Sequence, residues 1–516
     1  MTRIGRILTN IIFIGIFSLS ANAQRAKYWL FFTDKDLNAK ASISAKCIEN
    51  RRNLGLSVSQ VSDLPVNEKY ISLLKGMDIQ PLIKSKWLNA ISANISPNQI
   101  DEIKKLSFIK RIIPIDSKLV LSKTNTRLKT EDDLRVDFVM KQIGIESFLQ
   151  YGLDGKGVTI GVIDAGFFGA NDTQTLKHLF DKNLILGVKD YVNPKKIDFF
   201  GERETSSDFH GTEVLNAITG RNTKENYQLG LATKANFYLA RTDSGNKEFR
   251  GEEDNWMAAM EWMDSLGVRL INTSLGYAKG FSNPKESYSP EQMDGKTSVI
   301  AKAAQMAVEE KGMIVVVSAG NEGDDRSWQI ISTPADVEGV IAVGATNELG
   351  MKMGYSSIGP EFLAYNKPNV SCYSLFGTSL AAPVITGFVS CLLQLNPRLS
   401  TKEIKNILEK SANLYPFANN FVGNGVPNGK KAIDLANNIE TKNFTKTIEV
   451  SEGEKQVEIP LPTKDVVVVF NKKSPTQVIS QDSFRSKYNF ILLKRNPQVK
   501  QTTVICKEEV IEVIWK

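Results

Sequence analysis

The sequence GTSLAAP, residues 377–383, places a serine among small residues, and it is the most informative segment for the fold and chemistry of the chain. Its proline suits the first turn of a helix, so Ser379 is expected near a helix N-terminus, where backbone N–H groups are available to an anion. A strand-like run, VTIGVID, ends at Asp164, and a short run, HGT, begins at His210. An acid, an imidazole and a serine together form a nucleophilic triad. Because no histidine follows residue 210, folds that need the histidine after the serine are excluded.

Each of the three residues also has a simpler interpretation. Ser379 alone is typical of a helix N-cap, and Asp164 of a turn. The chain has only two histidines; His178 lies in a helical pattern without glycines, whereas His210 is followed by Gly-Thr and an apolar helical run. We therefore prefer His210 as the general base, with Asp164 fixing its tautomer.

A fourth polar group follows the apolar run VVVSAG, residues 315–320. Asn321 is flanked by glycines at 320 and 323, and its side-chain amide is predicted to donate to a developing oxyanion, with the backbone N–H of Ser379 as the second donor. The alternative is a turn asparagine in a left-handed conformation.

Short β-branched runs alternate with helical stretches from about residue 136 to 437. This alternation predicts an α/β fold in three layers, with a mostly parallel central sheet covered by helices on both faces. The predicted strands are 158–163, 236–240, 270–272, 313–317 and 340–343, and the predicted helices include 252–266 and 298–310. Such folds place reactive groups at the carboxyl ends of strands, where Asp164 and Asn272 fall.

The two ends of the chain differ from this central part. Residues 1–23 carry Arg3 and Arg6, a short apolar run and Ala-Asn-Ala, which predicts a cleavable export signal. Residues 24–130 are expected to form a small α+β unit and a linker at 122–133. They hold 19 lysines and arginines against 9 aspartates and glutamates, which favours an intramolecular acidic partner over nucleic acid, or else a solvated basic surface. Residues 131–440 form the predicted central domain. Residues 441–516 form a predicted small β domain, with strands at 447–450, 456–459, 465–470, 490–493 and 510–515.

With these residues in place, the chain resembles the subtilisin-like serine peptidases. The resemblance rests on GVIDAG at 161–166, HGTEV at 210–214, AGNEG at 319–323, and GTSLAAP at 377–383, in that order. It implies that the subtilisin-like fold spans 131–440, that residues 26–115 are an inhibitor-type propeptide, and that substrate is bound by Ser274, Leu275, Gly276, Ala319 and Gly320. Two departures are Glu213 and Val384, where the family often has histidine. The connection from residues 367–370 to Gly377 is also short, which puts the substrate specificity in question.

The resemblance implies an exported serine endopeptidase, made as a self-processing zymogen, that acts on polypeptides and is inhibited by its own propeptide. Its expected location is periplasmic, cell-surface or extracellular. No transmembrane segment is expected once the signal is removed, because no later apolar stretch reaches membrane-spanning length. The alternatives are an inactive peptide-binding protein on the same scaffold, and an acyl hydrolase acting on esters or lipids. No cofactor, metal site or nucleic-acid partner is predicted; segments 201–208 and 322–325 are acidic enough for calcium, but solvated loops are favoured. Cys372 and Cys391 are expected to be free thiols rather than a disulfide.

Overall fold

The computed structural model describes residues 25–115, 133–203, 206–222, 227–243, 252–278 and 288–516. The predicted export signal at 1–23 and residues 122–132 of the predicted linker at 122–133 lie outside these residues, whereas Asp133 begins a helix. The export signal and this part of the linker therefore stay predictions.

The first unit, here called the front domain (residues 26–115), is a four-stranded antiparallel sheet with helices. Its strands and helices follow one another along the chain in this order: β1 Ala26–Phe32, α1 Ala45–Asn53, α2 Glu68–Gly76, β2 Pro81–Ser85, β3 Ala90–Ile95, α3 Pro97–Ile103 and β4 Ile109–Pro114. The strand order is β2-β3-β1-β4. The predicted capped helix is α3, where Ser96 and Gln99 form a capping box.

The second unit, the central domain, carries a seven-stranded sheet between two layers of helices. Its elements are α4 Asp133–Gln142, α5 Ile145–Gln150, β5 Thr159–Asp164, α6 Lys177–Asp181, β6 Ile185–Asp190, α7 His210–Thr219, β7 Arg221–Asn222, β8 Tyr227–Gln228, β9 Asn236–Arg241, α8 Glu253–Leu266, β10 Leu270–Thr273, α9 Val299–Glu309, β11 Ile314–Ser318, β12 Ile341–Thr346, β13 Val370–Tyr373, α10 Thr378–Leu395, α11 Thr401–Ser411 and α12 Gly429–Ala436. The sheet order is β13-β12-β11-β10-β5-β9-β6, and every pairing in it is parallel.

Alternate residues of the central strands bury into two different cores. On one face, Val162 and Val316 pack in the core that includes α7 and α10; on the other, Ile163 and Val317 pack in the core of α8 and α9. Strands that are buried on both faces read as continuous apolar runs. The predicted three-layer fold with a mostly parallel sheet is therefore confirmed.

Helix α10 corrects one expectation about the chain. No stretch beyond the export signal was expected to reach membrane-spanning length, yet α10 has 18 residues and a mean hydropathy of 1.6. Most of the helix is buried inside the protein, and it crosses the back of β10, β11 and β12. A core helix of a soluble protein has the same composition, so α10 is weak support for a membrane span.

The last part of the chain is all β, as predicted. The strands are β14 Phe444–Val450, β15 Gln456–Pro460, β16 Val466–Lys472, β17 Val478–Arg485, β18 Phe490–Lys494, β19 Gln501–Cys506 and β20 Glu509–Trp515. Five of them form a sheet in the order β14-β20-β19-β16-β17, and β15 pairs with β18. Strands β17 and β19 were not predicted. The four cysteines of the chain are all free and buried.

Candidate active site

An aspartate and a histidine meet at the carboxyl edge of the central sheet. Asp164 is the last residue of β5, and His210 is the first residue of α7. Their atoms Oδ1 and Nδ1 lie 2.7 Å apart, and the same Oδ1 accepts the N–H of Ala165 at 2.7 Å. Gly211 permits this approach, because a Cβ there would lie 2.3 Å from the carbonyl oxygen of Gly166. Asp164 therefore accepts the N–H of the following residue, as in a turn, and also binds the imidazole of His210.

The imidazole of His210 is set between opposing electrostatic effects. Burial lowers its pKa, but the charge and hydrogen bond of Asp164, and then the charge of Glu213, raise it, and the balance lies above the ordinary value of 6.5. Glu213 lies one helical turn from His210, and burial raises the pKa of its own carboxyl. Within the described part of the chain, Nε2 of His210 is buried without a hydrogen-bond partner.

His178, the competing base, lies elsewhere. It belongs to α6, and its Nε2 lies 3.4 Å from Oγ1 of Thr219. Burial lowers its pKa. The structure therefore brings His210, and not His178, to Asp164.

Ser379 is the second residue of α10, and the N-cap is Gly377. The N-cap interpretation of Ser379 is therefore wrong. Its Oγ donates to the carbonyl of Ser274 at 3.4 Å, and Oγ of Ser274 donates back to the carbonyl of Ser379 at 2.8 Å. The structure thus joins Asp164 to His210 and Ser379 to Ser274, without a bond between the serine hydroxyl and the imidazole. Catalytic hydrogen bonds are often incomplete without substrate.

Asn321 follows β11, and its amide orientation is fixed by Thr378. Oδ1 accepts the backbone N–H of Thr378 at 2.9 Å and its hydroxyl at 2.8 Å, which leaves Nδ2 as the outward donor. A Cβ at Gly377 would stand 3.0 Å from this Nδ2, and Gly377 has a φ of +127°. Asn321 is not among the non-glycine residues with positive φ, so the left-handed turn interpretation is wrong. Sequence reasoning missed Thr378 as the residue that orients the amide.

The predicted substrate-binding segments border this site. Ser274, Leu275 and Gly276 follow β10, and the next residue, Tyr277, pairs through its backbone with Thr333 at 2.8 and 3.0 Å. Among the described residues, nothing bonds the backbone N–H or carbonyl of Leu275 or Gly276. These groups can pair with an extended peptide.

Ala319 and Gly320 extend β11 on the other side of Asn321. The N–H of Ala319 donates to the carbonyl of Val343 at 2.9 Å, and the N–H of Gly320 donates to Oγ1 of Thr378 at 3.1 Å. Both N–H groups are therefore committed within the protein. Their positions border the site, but neither N–H is open to a substrate in this state.

A buried arginine, which sequence reasoning also missed, holds the loop after Asp164. Arg241 ends β9 and is 1% exposed. It donates to the carbonyl of Ala165 at 3.0 Å and pairs with Asp190 at 3.1 Å and Asp208 at 3.3 Å. The signal that would have found it is a charged residue closing a buried strand, NFYLAR.

Helix α8 binds the front domain through acidic side chains. Its Glu261 accepts the hydroxyl of Ser85 at 2.6 Å and the N–H groups of Lys86 and Trp87 at 2.9 and 3.1 Å. Its Asp264 pairs with Arg51 at 2.9 Å. The basic front segment therefore does contact an acidic partner within the chain.

Metal ligands do not cluster in the part of the chain that the structure describes. No group of three or more histidine, cysteine or acidic side chains there is placed to hold a metal ion. In the segment 322–325, Glu322 accepts the N–H of Asn321 at 2.9 Å, and Asp325 accepts that of Ser327 at 2.9 Å. Segment 201–208 is described only in part.

Sequence comparisons find two families along the chain. The profile described as the Subtilase family matches residues 155–425, and the one described as the Peptidase S8 propeptide domain, Bacteroidota, matches residues 27–131. Subtilisin NAT of Bacillus subtilis subsp. natto is 24% identical over 419 residues, which cover 79% of this chain and 95% of that protein. Subtilisin DY of Bacillus licheniformis is 28% identical over 270 residues, covering 51% of this chain and 85% of that protein.

Solved structures share the fold. The epidermin leader peptide processing serine protease (EpiP) of Staphylococcus aureus superposes with a TM-score of 0.54 at 17% identity, covering 81% of this chain and all of that one. Fervidolysin of Fervidobacterium pennivorans, a keratinolytic enzyme, superposes with a TM-score of 0.52 at 17% identity, covering 94% of this chain and 71% of that one.

Proposed function

Since the chain belongs to the subtilase family and is a serine-type endopeptidase with a propeptide domain, we propose that Asp164, His210 and Ser379 are its catalytic triad. The observation that carries the proposal is the 2.7 Å contact between His210 and Asp164 at the sheet edge where Ser379 also lies. A buried Nε2 without a partner is the atom that a general base needs to keep available.

The reaction begins when the Ser379 hydroxyl turns from the Ser274 carbonyl toward Nε2 of His210. His210 takes the proton as Oγ attacks the scissile carbonyl carbon, and later gives it to the leaving amine. Asp164 accepts the Nδ1–H and stabilises the imidazolium. The oxyanion receives hydrogen bonds from Nδ2 of Asn321 and the backbone N–H of Ser379.

The substrate backbone adds as a strand beside Ser274, Leu275 and Gly276. This proposal is supported by the unbonded backbone groups of Leu275 and Gly276. Main-chain pairing supplies affinity for any extended peptide, whereas side-chain pockets supply specificity. Ala319 and Gly320 are proposed to form the opposite border of the same cleft.

The front domain is proposed to act as an intramolecular inhibitor until it is cut away. Its anchor is the set of contacts with Glu261 and Asp264 on α8. We propose further that the protein is exported to the periplasm, the cell surface or the exterior, and that it needs no cofactor. N-terminal sequencing of the secreted, matured protein tests the export signal and locates the propeptide cleavage together.

The test of the triad is Ser379→Ala, with Ser451→Ala as the control at an exposed serine of the β domain. Ser379→Ala is expected to abolish casein hydrolysis, reaction with a fluorophosphonate probe and release of the front domain, while Ser451→Ala keeps all three. A Ser379→Ala protein that still matured itself and cleaved casein would overturn the assignment. An unreactive wild-type serine in the matured protein would instead support the peptide-binding alternative.

A further inference from the structure

One loop of the central domain holds the residues on both sides of Asn321, and it is here called the support loop (residues 351–359). Ser357, within this loop, donates its backbone N–H to the carbonyl of Gly320 at 3.0 Å. The hydroxyl oxygen of Ser357 accepts the N–H of Glu322 at 3.1 Å. The backbone position of Asn321 therefore depends on the position of the support loop.

Tyr355 connects the same loop to the turn that precedes α10. Its carbonyl accepts the N–H of Gly323 at 2.7 Å. Its hydroxyl donates to the carbonyl of Ser374 at 2.6 Å, and the hydroxyl of Ser374 donates to the carbonyl of Gly377 at 2.7 Å. The support loop thus also holds the turn from which Ser379 projects.

Lys352 fixes the shape of the support loop from within. Its ammonium group donates to three carbonyls of the loop, those of Met353 at 2.8 Å, Gly354 at 2.9 Å and Ser356 at 3.0 Å. The same ammonium nitrogen lies 5.5 Å from the ring centre of Phe421. Because the side chain of Lys352 binds the backbone of the following residues, a shift of its own backbone would be passed on to them.

The β domain holds both ends of the support loop. Gln481, in β17, accepts the N–H of Lys352 on Oε1 at 2.9 Å and donates from Nε2 to the carbonyl of Lys352 at 2.8 Å. At the other end, Gly359 donates its N–H to the carbonyl of Asn420 at 2.9 Å. Oδ1 of Asn420 in turn accepts the N–H of Val478 in β17 at 2.9 Å.

An apolar core shared by the two domains keeps β17 in place. Buried side chains of the β domain pack there against buried side chains of the central domain, namely Val468, Phe470, Val478 and Val510 against Leu414 and Val422. Domains joined by a hydrophobic interface do not move freely against each other. The β domain is therefore a fixed support for the loop.

We propose that Gln481 is a positioning residue for the oxyanion site: through Lys352 and the support loop, it keeps Asn321 where its amide meets the developing oxyanion. This inference rests on the proposed function, because it takes Asn321 as an oxyanion donor. Such donors stabilise a transition state when they are in place before the reaction. A misplacement of about 1 Å can cost about 100-fold in rate, so a contact remote from the substrate can control turnover.

The test uses the matured full-length enzyme, a fluorogenic peptide substrate and the variant Gln481→Leu. Leucine is similar in size to glutamine but forms neither bond with Lys352. We expect kcat to fall about tenfold with KM unchanged, a smaller loss than the roughly 10²–10³-fold that follows removal of an oxyanion donor. The matched control is Asp482→Asn, at the exposed neighbouring residue of β17, which should keep the wild-type kcat.

Two further variants separate positioning from a general loss of stability. Val510→Ala shrinks the shared core without removing either bond of Gln481. It should lower Tm and keep the wild-type kcat at a temperature well below Tm. Combining Gln481→Leu with Asn321→Ala forms a double-mutant cycle, in which Gln481→Leu should lose most of its effect on kcat because Asn321 is no longer there to be positioned.

Three results would each overturn this inference and leave the proposed function standing: an unchanged kcat in Gln481→Leu, an equal fall of kcat in Val510→Ala, or effects of Gln481→Leu and Asn321→Ala that multiply. Failure of the matured wild type to cleave casein and to react with a fluorophosphonate probe would instead refute the proposed function itself.

Discussion

Replacing Arg51 by methionine should loosen the front domain on the central domain. The Arg51 guanidinium is 1% exposed and bonds both carboxylate oxygens of Asp63, at 2.5 and 3.0 Å, and both of Asp264, at 3.0 and 2.9 Å. Breaking a buried pair typically costs about 3–5 kcal/mol, because it leaves a charge uncompensated. Lys311 still pairs with Asp63 at 2.9 Å, so Asp264 alone loses its cation. We therefore expect the lower end, about 3 kcal/mol, or roughly 100-fold in the opening equilibrium.

Amide hydrogen exchange measures this opening directly. The Ser379→Ala background keeps the front domain attached, and exchange in β1 and β3 is compared with exchange in β10 and β11 of the central sheet. Arg51→Met should lower protection in the front strands roughly 100-fold and leave the central strands unchanged. The matched control is Lys46→Met on the same helix, whose pair with Glu49 is more than half exposed and is worth about 0–1 kcal/mol.

Asp264→Asn supplies the same test from the side of the central domain. It should reproduce most of the Arg51→Met effect, because it removes the partner without touching the internal pair of Arg51 with Asp63. If Arg51→Met and Lys46→Met changed protection equally, the buried ion pairs would contribute nothing special to docking. The reasoning from burial would then be refuted.

Three other predictions concern catalysis. The imidazole of His210 must be neutral to act as a base, and its pKa is raised, so kcat/KM should rise with pH through a value above 6.5. Glu213→Gln should move this rise to lower pH. A rise at unchanged pH would show that Glu213 does not affect the pKa of His210. Asn321→Ala should lower kcat roughly 10²–10³-fold with little change in KM, and a change confined to KM would contradict its role at the oxyanion. Gly377→Ala should cost about 1–3 kcal/mol of unfolding free energy, measured by urea denaturation, because of its positive φ, and should also lower kcat by displacing Asn321.

The parts of the site that local sequence could predict are those fixed by strand ends. Asp164 closes an apolar strand, and parallel strands end at one edge of the sheet, so its position followed from the pattern. The orientation of Asn321 could not be predicted in the same way, because it depends on Thr378, 57 residues away. The same limit applies to Arg241, whose partners Ala165, Asp190 and Asp208 come from three segments far apart in the sequence.

The two strands missed in the β domain have different explanations. Strand β17 lies at the edge of its sheet, and most of its side chains are exposed. Its sequence therefore lacks the apolar alternation that predicts a strand. In β19 the strand is central, but its buried positions include Thr502 and Thr503. The hydroxyl of Thr503 donates to Glu512 on the neighbouring strand at 2.7 Å. The residues next to Thr503 in the sequence do not reveal this partner.

The basic residues of the front domain serve in two ways, as a solvated surface and as partners of acidic residues in the central domain. Many front-domain cations are solvated: Lys46, Lys84 and Lys104 each make exposed pairs within the front domain. Docking instead uses Lys27 and Arg51 of the front domain on Asp254 and Asp264 of α8, together with Lys311 of the central domain on Asp63 of the front domain.

Asp254, Glu261 and Asp264 are seven and three residues apart on α8, so they lie toward one side of the helix. Each of the three binds the front domain. The specificity of docking therefore comes from this row of buried acceptors, and from Lys311 on Asp63, rather than from the net charge. Release of the front domain should therefore expose all three carboxylates together, on one side of α8.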